Sequence, residues 1–174
     1  MTAAIVRTAQ DAKGEYRDML VRLMTRQFYA ETATAEVFGR SIGCAPTLRE
    51  KFLAAEFAEE EAEHSQRLCN LFRELGIDPE KVHAARPPAA QFWSLDLDNW
   101  IHIAVFNFTV DRAGSHQIME YRDSTYRPWA EQMESVLRSA RCRTRRAPAR
   151  CRSGFGTASR TSGSRRPAAG ARGH

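Results

Sequence analysis

The stretch Glu61-Ala62-Glu63-His64 sets a carboxylate and an imidazole three residues apart. On a helix that spacing is close to one turn, so both side chains leave the same face. A carboxylate oxygen beside an imidazole nitrogen suits a divalent metal such as iron or manganese. Alone, the pattern says little. Its neighbourhood is rich in acid, with Glu56, Glu59, Glu60 and Glu63, and such charge runs are commonly solvated helix faces.

The company that Glu61 and His64 keep is more informative. Steps of three and four residues trace apolar stripes through Leu20, Met24, Phe28, Glu31, Ala35 and Phe38, and through Leu53, Phe57, Glu61, His64, Leu68 and Leu71. A third runs through Trp100, Ala104, Phe108, Asp111, Ser115 and Ile118. Each is the buried face of an amphipathic helix, and each is interrupted near its middle by an ionisable group. A buried, unpaired carboxylate is costly, and facing carboxylates repel. A pair of divalent cations removes both difficulties, so Glu31, Glu61, His64 and Asp111 are the candidate metal ligands. The plainer alternatives are ion pairs: Glu31 with Arg26 or Arg40, and Asp111 with Arg112 or a cation of the second helix. His102 and His116 fall off the stripes and read as surface or packing residues. Trp93, Trp100, Trp129 and the phenylalanines read as core.

Four helices must position these groups. The first is predicted from about Glu15 to Ile42, stopping at Gly43. The second opens on a capping box, Thr47-Leu48-Arg49-Glu50, in which hydroxyl and carboxylate satisfy each other's free backbone amides. It closes at Gly76, a residue that tolerates the left-handed conformation after a helix. Residues 77–95 carry Pro79, Pro87 and Pro88 and read as a crossover. The third helix is predicted from Leu97 to Arg122. A turn over 123–127 leads to Pro128 in the first turn of the fourth. Long helix, short turn, long helix, crossover, long helix, short turn, helix is an all-α pattern, that of a ferritin-like four-helix bundle.

The fourth helix begins with Trp129, Met133, Val136 and Leu137 and then loses its periodicity at Ser139. Ten of the 26 basic residues, all arginine, lie in 139–174 with no lysine and no acid, so residues 1–138 hold 16 basic and 21 acidic side chains, a net of −5. The overall charge of +5 therefore belongs to the tail. With Phe155 as its one large apolar residue, 139–174 cannot offset its ordering entropy and is predicted to be disordered. It lacks the lysines and interleaved aromatics of many nucleic-acid tails, so no nucleic-acid partner is expected. The division is a partial bundle over 1–138 and an arginine-rich tail over 139–174, with the fourth helix incomplete. Cys44, Cys69, Cys142 and Cys151 show no C-x-x-C spacing and read as reduced thiols. No apolar run reaches membrane-spanning length and no signal peptide is apparent, so the expected setting is the cytoplasm.

Glu31, Glu61-x-x-His64 and Asp111, together with Asn99-Trp100 and Ser124-Thr125-Tyr126-Arg127-Pro128-Trp129, resemble the phenylacetic acid catabolic protein family, in particular its phenylacetyl-CoA epoxidase catalytic subunits. The similarity covers about residues 15–138. It implies an iron pair held in the bundle by these four residues and epoxidation of the ring of an aromatic acyl-CoA. It also implies a separate reductase, a non-catalytic partner subunit and an oligomer. The family pattern then calls for a second E-x-x-H near positions 140 and 143, where this chain has Ala140 and Arg143. A frameshift near codon 139 accounts for both the missing pair and the altered composition. One of the possible encodings of Ser139 to Thr144, AGC GCG AGG TGC CGC ACG, read one nucleotide back contains GAG GTG CCG CAC, Glu-Val-Pro-His. With one pair lost, reduced iron occupancy and little or no oxygenase activity are expected of this chain. A ferritin- or rubrerythrin-like iron-handling protein and a structural bundle subunit without metal are the alternatives.

Overall fold

The computed structural model describes residues 4–87, 97 and 99–146, and of positions 111 and 138–146 the backbone alone. The fold is an all-α helical bundle. Its helices are α1 (Gly14–Cys44), α2 (Leu48–Glu74), the short α3 (Pro79–Ala84), α4 (Trp100–Arg122) and α5 (Arg127–Arg146). None of them is long and apolar enough to cross a membrane.

Local chemistry explains most of the ends. α1 runs through Gly43, which keeps a helical backbone, and ends at Cys44, two residues beyond the predicted Ile42. Pro46 is the cause: it drives the residue before it out of the helical region, and Ala45 is extended at φ −64°, ψ 128°. Lys51 reaches back from α2 to the Ile42 carbonyl at 2.8 Å and covers the end. α2 opens with the Glu50 amide donating to Thr47 Oγ1 at 3.2 Å. The Glu50 carboxylate accepts from the same hydroxyl at 2.7 Å, rather than from the Thr47 amide of a full capping box. At the far end Gly76 adopts φ 72°. There Ile77 N donates to Phe72 O at 2.8 Å and Gly76 N to Arg73 O at 3.0 Å, the paired bonds of a Schellman cap. α3 forms inside the predicted crossover, with Pro79 in its first turn and Asp78 accepting from the Glu80 amide at 3.0 Å.

Side-chain contacts fix the helix directions. Glu31 meets His64, Phe38 meets Phe57 and Phe28 meets Phe72, so α1 and α2 are antiparallel. Val37 packs with Ile103 and Phe106 at one end of α4, while Tyr121 at the other joins Leu20 and Met24. α4 thus runs with α2, and the connection between them must travel the length of the bundle. α5 runs with α1, as Tyr16–Thr125 and Gln27–Met133 contacts show. Two antiparallel hairpins joined by one long crossover is the connectivity of ferritin-like bundles.

Two expectations need correction. The inward face of α4 runs through Ile103, Phe106 and Tyr121, whereas Phe108, placed on the buried stripe by its spacing, is half exposed. α4 carries apolar side chains on two faces, with Ile101, Val105 and Phe108 on the outer one, so periodicity alone could not choose between them. The second concerns α5, which does not dissolve at Ser139 but continues to Arg146. Alanine and arginine are good helix formers, and no proline intervenes before Pro148. Residues 147–174, most of the predicted disordered tail, lie outside the described residues.

Candidate metal centre

α1 and α2 bring Glu31, Glu61 and His64 together in the interior, with 7, 3 and 2 % of their surfaces exposed. One ligand atom from each lies within 4.8 Å of the others. His64 Nδ1 stands 3.2 Å from Glu31 Oε2 and 3.5 Å from Glu61 Oε2. Arg26 and Arg40, the alternative partners for Glu31, are not the groups it meets. Asp111 belongs to α4; its side chain lies outside the described residues.

Glu31 is further held by Gln27, one turn earlier on α1, whose Nε2 donates to Glu31 Oε1 at 3.0 Å. The other end of that amide accepts from Trp129 Nε1 of α5 at 2.8 Å, and Met133 Sδ lies 3.4 Å from Gln27 Nε2. Nothing in the residue pattern singles out Gln27, and Trp129 reads only as core. The one signal was the four-residue interval between Gln27 and Glu31, which puts them on one helix face.

The electrostatics follow from dry surroundings. Burial pushes the Glu31 carboxyl up, but hydrogen bonds with Glu61, His64 and Gln27 outweigh it and hold the group at about 2. Burial likewise works against a charged His64, yet its hydrogen bonds to the two glutamates prevail and raise the imidazole to about 9. Without metal, the arrangement is an imidazolium clasped by acidic side chains.

The same donors fit a cation. At metal–nitrogen and metal–oxygen bonds of about 2.0–2.2 Å, adjacent ligands on one ion stand roughly 3.0–3.5 Å apart. The two His64–carboxylate separations fall in that interval, so a single ion can take the proton's place with little movement. Three protein donors of this kind leave coordination positions open for water or substrate. Among the described residues these three could hold one metal ion. Met133 and Val136 face the core, and positions 140 and 143 follow each by seven residues in the sequence of α5. The sequence has Ala140 and Arg143 there, and neither residue type is a metal ligand. Against known proteins, the chain matches no family model and no characterised sequence.

Proposed function

We propose that this protein is a metal-binding bundle of the di-iron carboxylate type, holding one divalent cation on Glu31, Glu61 and His64. By its resemblance it descends from oxygenases that epoxidise the ring of an aromatic acyl-CoA, and lacks their second E-x-x-H. The observation that carries this reading is the convergence of two carboxylates and an imidazole, from two helices, in the buried interior. When bound, iron would supply oxygen activation. The chain's own residues orient the ligands and keep solvent out: Phe28, Leu68 and Met133 surround the site with apolar surface.

Iron is the proposed metal on the strength of the resemblance, as are the aryl-CoA substrate, the reductase and the partner subunit. With one pair of ligands gone, turnover should be weak or absent. An oligomer is proposed as well; Leu48, Phe52, Ile101, Val105 and Phe108 leave apolar surface exposed. Elemental analysis of the chain after anaerobic iron loading tests the metal reading. About one iron per chain, lost on replacing His64, supports it; no retained iron sinks it. Assay with an aryl-CoA, oxygen and a reductase then separates an oxygenase from an iron-handling protein.

A metal-free structural bundle is the competing reading, favoured by the direct His64–Glu31 contact at 3.2 Å. A protonated histidine between carboxylates compensates their charge without an ion. The elemental analysis decides between the two.

A further inference from the structure

Trp129 Nε1 can only donate, so the Gln27 atom that it meets at 2.8 Å must be the amide oxygen. That choice fixes the whole side chain. The amide nitrogen must then point the other way, where it donates to Glu31 Oε1 at 3.0 Å. An ionised carboxylate accepts but does not donate, so the relay favours ionised Glu31, the state that binds metal. It also occupies Oε1, leaving Oε2 as the atom turned toward His64 at 3.2 Å. Gln27 is 4 % exposed and Trp129 1 %, so water cannot readily replace either bond.

We propose that Gln27 is a positioning residue for the metal centre and that Trp129, acting through it, couples the docking of α5 to metal affinity. The inference rests on the metal reading above. Glu31 is held by a chain that begins on a different hairpin, so the ligand set is correctly aimed only when α5 is seated. α5 therefore contributes to the centre despite offering it no recognised ligand.

The test uses the full chain, stripped of metal and titrated with Co²⁺, whose d–d absorption reports coordination geometry. Affinity is read by competition with a chromophoric chelator. Q27L and W129F are each expected to weaken Co²⁺ binding about tenfold or more, the usual effect of removing a group that orients a metal ligand. Both should also change the d–d spectrum while the metal-free far-UV circular dichroism stays that of the wild type. W129F keeps an aromatic ring in place and decides the matter should Q27L fail to fold. In the wild type, Zn²⁺ binding should shift tryptophan emission; a chain that binds Zn²⁺ with no such shift overturns the coupling without any variant. Wild-type affinity and an unchanged spectrum in the folded variants overturn this inference alone. Failure of the wild type to bind Co²⁺ or Zn²⁺ overturns the metal reading, and this inference with it.

Discussion

His64 carries a proton between two acidic side chains when no metal is present, and two predictions belong to that residue. Replacing it with alanine strands Glu31 and Glu61 in the interior. Breaking a buried pair by removing one partner costs about 3–5 kcal/mol, so H64A should lower the metal-free melting temperature and abolish metal uptake together. The second concerns pH. The His64 pKa is raised, from 6.5 to about 9, so its contribution to stability is whole below about 6.5 and fades as pH climbs toward 9. The Glu31 pKa is lowered to about 2, so its contribution is whole above about 4.5 and fades as pH falls toward 2. Metal reverses the alkaline limb, because it must displace the imidazole proton. Melts with and without chelator should diverge as pH rises from about 6 to 9; a constant difference would contradict the shared site. Of this cluster, three members were legible in the sequence, because a charged group on an apolar stripe violates its pattern. Gln27 and Trp129 were not, because an amide and an indole break no pattern and their partnership exists only once two hairpins have met.

At the scale of the helix, the caps were the readable features. Thr47 and Gly76 announce themselves by residue type, since each meets a backbone requirement that few others can. T47A should cost about 1 kcal/mol, the ordinary value of an N-cap. G76A should cost a comparable amount, because alanine is strained at positive φ; denaturant melts of the metal-free protein measure both. Gly43 misled because glycine in a helix merely weakens it, and the true terminator was Pro46 three positions on. The face of α4 was illegible for a different reason. With apolar side chains at both Ile101, Val105, Phe108 and Ile103, Phe106, the helix does not say which side turns inward, and only packing against Val37 and Phe38 decides. α5 offers a constructive test. Introducing ligand residue types there, A140E with R143H, should raise the metal bound from the proposed one ion per chain toward two, read by elemental analysis. Unchanged stoichiometry would count against the di-iron ancestry.

For the molecule as a whole, the exposed apolar side chains of α4 and the start of α2 lie toward the same end of the bundle, where Phe38 touches both Phe57 and Phe106. Sedimentation velocity over a dilution series should show reversible association there, weakened by I101S together with F108S. At the opposite end the chain closes on itself. Val6 N donates to Thr125 O and Arg127 N to Val6 O, both at 2.9 Å, and the Tyr16 hydroxyl lies 2.8 Å from Thr125 Oγ1 across 109 residues of sequence. This knot ties the segment ahead of α1 to the turn between α4 and α5. During synthesis the segment around Val6 must therefore wait for these partners until residues near 125 have left the ribosome. Long-range closures of this kind slow folding, and a bulky fusion placed directly ahead of Val6 would obstruct the final step of assembly rather than the first.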